Sequence, residues 1–326
     1  MLGVFREDGY NKIMYDLIII GGGPAGTAAA VYAARKKIKT LLLTESFGGQ
    51  SVVSDNIENW IGEKTINGLD LAKKFEEHVR AQEGIEIKMT ERAVSVRQLE
   101  KGGFEVVSEK GEAYLSKTVL VVSGGRRRKL GVPGEEVFSG KGVAYCATCD
   151  APLFRNKTVA VVGSGNSALE AVIDLLPYAV HIYLLVRGTQ LKGDATTQAE
   201  VINSPKVTVL MGVVTKEITG DTFVRALTYA DKATNEKKTI AVGGVFVEIG
   251  SMPNTEMVKD VVKLNDFGEI VVDPVHGTTS QAGIWAAGDV TDCPYKQNNI
   301  AAGDAVKAAL SIYAYLLKQE REVLCT

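Results

Sequence analysis

Histidine, cysteine and tryptophan are scarce in this chain, at three, four and two residues among 326, and each scarcity narrows what the protein can be. A structural zinc site needs four nitrogen or sulfur ligands. His78, His181 and His276 fall at no metal-ligand spacing, and Cys146-Ala147-Thr148-Cys149 has no second C-x-x-C to complete a site. The motif therefore reads as a redox pair of thiols ahead of a zinc half-site. Cys293 and Cys325 stand alone and receive no role. So few cysteines in a chain this long make no disulfide scaffold, which points to a reducing, cytoplasmic setting. Charge of one sign is also missing. The 37 basic and 39 acidic residues leave a net charge of −2, with no basic field to attract a nucleic acid. The opening residues, MLGVFREDGYNKIM, lack the continuous apolar stretch of a secretory leader. No uninterrupted run approaches the ~20 apolar residues of a membrane helix, so no membrane partner is expected. What remains is an ordinary globular composition, 45% hydrophobic and 23% charged, at a length that suggests about two domains.

Residues 1–13 carry no periodic pattern and read as a short arm, with Met14 a second candidate start. Tyr15 to Ile20 is apolar and β-branched, the mark of a buried parallel strand. It runs into Gly21-Gly22-Gly23-Pro24-Ala25-Gly26 and then a helical stretch over 27–37. A G-x-G-x-x-G pattern between strand and helix permits a tight turn and close approach to a pyrophosphate, which the helix N-terminus then faces. The next strand, 40–44, leads to Glu45, placed to accept hydrogen bonds from a ribose diol. Phe47-Gly48-Gly49-Gln50 and the segment from Asn56 to Gly62 read as loops. An amphipathic helix is expected over 69–83, and strands over 85–89, 92–97, 104–108 and 113–122. Arg126-Arg127-Arg128-Lys129 reads first as a solvated crossover, with docking of an acidic partner as the alternative.

The dinucleotide pattern then returns. A buried strand, 158–162, opens Gly163-Ser164-Gly165-Asn166-Ser167-Ala168 and a helix to Leu176. This is the G-x-G-x-x-A form, whose last small residue lets helix and strand pack closely. After the strand 181–185 the residue expected at a ribose is Val186, with Arg187 and Lys192 the only nearby cations for a 2′-phosphate. Short strands fill 207–250, with a polar hairpin tip at 232–238, and Ser251-Met252-Pro253-Asn254 reads as a second crossover. Gly283 to Asp289 forms a strand ending in Gly-Asp, and a final helix over about 300–318 places Val306, Leu310, Tyr313 and Leu317 on one face.

Taken together, GGGPAG at 21–26, GGQ at 48–50, CATCD at 146–150, GSGNSA at 163–168 and AAGDV…YKQ at 286–297 resemble the low-molecular-weight thioredoxin reductases, including the related flavoprotein part of alkyl hydroperoxide reductases. The resemblance runs from about Tyr15 to Leu317. It implies an α/β fold of two Rossmann-like dinucleotide-binding domains of three-layer ββα type, the second inserted into the first. The FAD domain would comprise 1–124 and 253–326, and the NAD(P)H-type domain 125–252. A homodimer and a rotation between the domains are implied as well, with the N-terminus of the final helix against the flavin ring. FAD contacts fall on Gly21, Gly23, Pro24, Ala25, Gly26, Glu45, Gly49, Gln50, Asn59, Gly124, Gly288, Asp289, Lys296, Gln297 and Asn298. Nucleotide contacts fall on Gly163, Gly165, Asn166, Ser167, Ala168, Arg187 and Lys192. Cys149 would face the flavin, Cys146 would be the more exposed thiol that exchanges with substrate, and Asp150 would act as acid and base, or else as a plain turn cap.

The chain departs from the family where the donor is chosen. NADPH-using members carry His-Arg-Arg and a further Arg where this chain has Val186-Arg187-Gly188 and Lys192. NADH-using members tend to carry an acid at the place of Val186. Relatives with neither signature take electrons from ferredoxin or another donor and often lose the glycine fingerprint, which this chain keeps. The expected donor is NAD(P)H, leaning to NADPH, with ferredoxin as the alternative. The expected partner is thioredoxin or another C-x-x-C protein that feeds a peroxidase. An NAD(P)H–ferredoxin reductase would not need the cysteines, and a flavin-binding sensor would show no thiol-dependent turnover.

Overall fold

The computed structural model describes residues 14–54 and 57–324, so the N-terminal arm, Asn56 and Cys325 lie outside the described residues. Contacts divide the chain into two units, 1–126 with 252–326, and 127–251.

In the first unit the apolar strand Met14–Gly22 lies mid-sheet, parallel to Thr40–Phe47 on one side and to Ala113–Val121 on the other. Ile85–Met89 extends one edge, and Ile284–Ala286, from the far end of the chain, extends the other. Successive side chains point to opposite faces of a strand, so Leu17 and Ile19 enter one core and Ile18 and Ile20 another. The first core is roofed by the helices Pro24–Arg35, Gly68–Arg80 and Asn298–Leu324. The second is closed by an antiparallel branch in which Phe104–Ser108 pairs with both Ala113–Val121 and Ala93–Gln98. Helices, parallel sheet and meander make three layers.

The last helix corrects two expectations. It runs 27 residues, and Ala301, Ala305, Ala308, Ala309, Ile312 and Leu316 form its inner face, while Leu310 is exposed. Four alanines there meet Ala29, Ala30 and Ala33 of the first helix in one core. Small side chains let two helices approach closely, so the bulkier stripe of Val306 to Leu317 was the wrong face to choose. By length and composition the stretch Asn298–Glu322 is also apolar enough to cross a membrane, which uninterrupted runs alone did not reveal. Its alanine face belongs to the core of this unit.

The second unit repeats the plan. Val207–Met211, His181–Val186, Thr158–Val162, Val245–Val247 and Val143–Ala144 form a parallel sheet in that order. Helices Asn166–Leu175 and Ala195–Asn203 cover one face. The antiparallel strands Val213–Gly220, Val224–Asp231 and Lys237–Ala241 cover the other. The helix Ala195–Asn203 was missed in the sequence, although its cap is legible there. Asp194 accepts the Thr197 N–H at 3.0 Å, the usual work of an aspartate at a helix start.

Candidate functional site

The first glycine turn is shaped by contacts that no other residue tolerates. A Cβ on Gly26 would stand 1.8 Å from the Gly21 carbonyl oxygen, and one on Gly21 would stand 2.4 Å from that of Val122. The following loop is as tight, since a Cβ on Gly49 would come within 3.2 Å of Gly23. Pro24 opens the helix and Gly23 offers no capping side chain, so the first-turn N–H groups depend on something else for a partner. They border a cavity of about 670 Å³ lined by Gly21, Gly23, Pro24, Ala25, Glu45, Gly49, Gln50, Gly124, Asp289 and Asn298. That volume lies within the range of small-molecule sites. An exposed carboxylate, a helix N-terminus and a bare glycine turn together fit a dinucleotide with its diol and pyrophosphate.

Several expected contacts serve this cavity from outside it. Gly288, with φ of 74°, is where a Cβ would press on Ala301 and Ala25, so it lets the last strand turn into the wall. Asn59 donates to Gln297 at 3.3 Å and its carbonyl accepts from Asn299 at 2.7 Å, which ties two loops together. Lys296 does not line the cavity. Its ammonium pairs with Glu269 at 3.0 Å and donates to the carbonyls of Asp289 and Thr291, so it holds the loop in shape. Glu45 lies inside the strand Thr40–Phe47, not beyond it.

In the second unit Gly163 is confined by its neighbours, since a Cβ there would lie 2.2 Å from the Glu248 carbonyl and 2.6 Å from the Ala168 Cβ. Gly165 precedes the helix with open space around it, and Asn166 accepts the Asp194 N–H at 2.7 Å. Ser167 is exposed at the first turn of the same helix. The strand His181–Val186 includes Val186, which is fully buried in the helix-side core. The expectation that Val186 meets a ribose is thereby corrected, because alternation turns its side chain inward. Arg187 is the first residue past the strand, and both it and Lys192 are exposed.

The cysteine motif belongs to this same unit. Val143–Ala144 is too short a strand to read in advance, and Tyr145 anchors its end through a 3.0 Å hydrogen bond to buried Glu135. Glu135 also accepts the N–H groups of Leu130 and Gly131 at 2.9 and 2.7 Å. Cys146 and Cys149 follow as a disulfide with Cα atoms 5.4 Å apart, spanning the single turn Ala147–Asp150. The Asp150 N–H closes that turn on the Cys146 carbonyl at 3.0 Å, and Thr148 donates to Asp174 at 2.8 Å. Cys149 is exposed and Cys146 half-buried, the reverse of the order that the resemblance implied. Cys146 is still in extended backbone at the strand's end, whereas Cys149 stands on the turn. Burial pushes Asp150 up to about 6, against the opposing pull of Arg127. Its side chain caps nothing.

The pyridine nucleotide-disulphide oxidoreductase model matches residues 15–308. The chain belongs to that family. It is 45% identical over 94% of its length to an NADH dehydrogenase of Bacillus subtilis. It is 44% identical over 93% to an alkyl hydroperoxide reductase flavin-family relative from Pseudomonas aeruginosa. The chain spans about 60% of the length of these curated relatives. Thioredoxin reductase from Streptococcus pyogenes superposes with a TM-score of 0.88 at 36% identity, over 94% of this chain and 99% of that one. An oxidoreductase of this family uses a flavin and a nicotinamide nucleotide, and the two glycine turns supply a place for each.

Two further residues complete the picture of this oxidoreductase. Arg126 bonds Asn254 at 2.7 Å and Glu256 at 2.6 Å, and Lys129 pairs with Glu136 at 2.7 Å. Half of the basic run is thus engaged within the protein, which removes the docking surface suggested for it. Glu248 was not singled out in the sequence, although it is the one charged residue in Gly243 to Gly250. It is 8% exposed, accepts the Ala147 N–H, and is pushed by burial up to about 7.

Proposed function

We propose that the chain is a flavin-dependent disulfide reductase of thioredoxin-reductase type, working as a homodimer in the cytoplasm. In the overall reaction NAD(P)H and one proton are consumed, a protein disulfide gains two electrons and two protons, and NAD(P)+ and two thiols result. The observation that carries this reading is the Cys146–Cys149 disulfide, built into the unit that also holds the second glycine turn. FAD in the first cavity supplies the two-electron chemistry that links a hydride donor to a disulfide. There the first helix N-terminus and Gly21 would receive the pyrophosphate, Glu45 the ribose diol, and Asn298 and Asp289 the far wall. In the second unit Gly163, Gly165 and Ala168 would admit the nucleotide backbone, with Arg187 and Lys192 toward a 2′-phosphate. Asp150 is placed to move a proton to or from the adjacent thiols, and its raised pKa keeps it partly protonated near pH 6.

The partner is a thioredoxin-like protein. A second version of the same reading makes that protein the C-x-x-C carrier of a peroxidase system, favoured by the likeness to the alkyl hydroperoxide reductase of Pseudomonas aeruginosa. The test is anaerobic absorbance of the purified protein with NADPH, NADH or reduced ferredoxin, followed by turnover of thioredoxin-like and peroxidase-linked substrates. About one FAD per chain and bleaching by a nicotinamide nucleotide are expected. The variant C146S/C149S should still bleach but reduce no protein disulfide. Retained turnover in that variant would sink the proposal, and bleaching by ferredoxin alone would replace the donor.

A further inference from the structure

Glu248 has no part in the reaction just described, yet it is built into the cradle of the cysteine pair. The strands Val245–Val247 and Val143–Ala144 are parallel neighbours, with Val245 opposite Val143 and Phe246 opposite Ala144. Continuing that register brings Glu248 level with Cys146. The Ala147 N–H, inside the disulfide ring, donates to Glu248. The backbone of Glu248 is fixed as well, because its N–H bonds the Val162 carbonyl at 2.9 Å and its own carbonyl lies against Gly163. An acid held this way, 8% exposed, at the end of an otherwise apolar strand is an expensive arrangement for structure alone.

We infer that Glu248 is a positioning residue of the Cys146–Cys149 pair, whose carboxyl both orients the turn through Ala147 and sets how readily the reduced thiols ionise. The inference rests on reading the pair as a redox centre. Reduction breaks the S–S bond with two electrons from the hydride donor. It takes up two protons if two thiols form, or one if a thiol and a thiolate form. A carboxylate beside the pair opposes the thiolate by like charge and so favours the two-proton outcome. Three other charged groups act on Glu248: Arg127 attracts its ionised form, while Asp150 and Asp174 oppose it. Burial dominates and pushes Glu248 up to about 7, so its charge changes within the working pH range.

The experiment reduces the whole protein with dithiothreitol, removes the reductant under nitrogen, and follows alkylation by iodoacetamide between pH 5 and 10, with each cysteine resolved by mass spectrometry. Glu248→Gln keeps the shape and removes the charge. It should move the alkylation midpoint of the pair down and raise the rate at pH 7 about three- to tenfold. Glu248→Asp should return the midpoint toward that of the parent. Arg127→Gln, which does not depend on whether the Glu248 variants fold, should move it up. A Glu248→Gln profile that superposes on the parent would overturn the inference, as would an Arg127→Gln midpoint that fails to rise. This readout needs no flavin, nucleotide or partner protein. Loss of the disulfide-reductase reading in turnover assays is therefore distinguishable from loss of this one.

Discussion

The two units solve one backbone problem twice and differ in the charges they set around it. Both send a buried strand through a glycine turn into a helix, Met14–Gly22 to Pro24–Arg35 and Thr158–Val162 to Asn166–Leu175. Both turns are shaped by contact, at Gly26 against Gly21 and at Gly163 against Glu248 and Ala168. The neighbouring strand then diverges. In the first unit it presents Glu45 at the wall of a large cavity. In the second it buries Val186 and emerges at Arg187. The turn admits a phosphate backbone, and the residue one strand away selects among ligands that share it. Only the second unit carries the cysteine pair with two uncommonly basic carboxyls, Asp150 and Glu248.

The comparison breaks most visibly at the glycines. Gly26→Ala would force a Cβ to 1.8 Å from a carbonyl oxygen, whereas Gly165→Ala meets nothing within 4 Å at a φ of −94°. Gly26→Ala should lose bound flavin and several kcal/mol of stability, of the order seen on overpacking a core. Gly165→Ala should keep its flavin and stay within about 1 kcal/mol of the parent. Flavin absorbance and urea melts of the two variants check this. Equal behaviour would mean that the turns are not constrained differently.

Next in size is the ribose carboxylate of the first unit. Glu45→Ala should weaken FAD by about 1–3 kcal/mol through lost hydrogen bonds, read by titrating the apoprotein. A smaller effect belongs to the cation that takes the corresponding place in the second unit. NADPH should be preferred to NADH by about tenfold, or ~1.4 kcal/mol, and Arg187→Ala should erase the preference without changing FAD content. The measurement is the anaerobic bleaching rate against concentration of each nucleotide.

The smallest expected effect is the pH dependence of stability. Carboxyls titrate near about 4 in an unfolded chain, but Asp150 and Glu248 are raised to about 6 and about 7 in the fold. Between those limits the folded state binds more protons, so these groups make stability fall as pH rises from ~4 to ~7 and leave it level above. Glu248→Gln should therefore narrow the difference in Tm between pH 5 and pH 8, and Gly165→Ala should leave it unchanged. A wider difference in Glu248→Gln would reverse the sign assigned to burial.

Much of this protein is legible in the order of its residues. Local rules suffice for a buried strand, a glycine turn and a two-residue gap between thiols, because each depends on neighbours along the chain. Tyr15 to Gly26, Thr158 to Ala168 and Cys146 to Cys149 are of this kind. Other features depended on partners far away in sequence. Which face of the last helix is buried was settled by the alanines of the first helix, and the work of Lys296 by Glu269. Val186 was placed by the length of its strand, and half of the basic run by Asn254, Glu256 and Glu136. Glu248 is the clearest case. One acid after three apolar residues gives no periodic signal. Only the parallel pairing of Val245–Val247 with Val143–Ala144 brings it level with Cys146, about a hundred residues earlier, where burial and the Ala147 N–H set its charge.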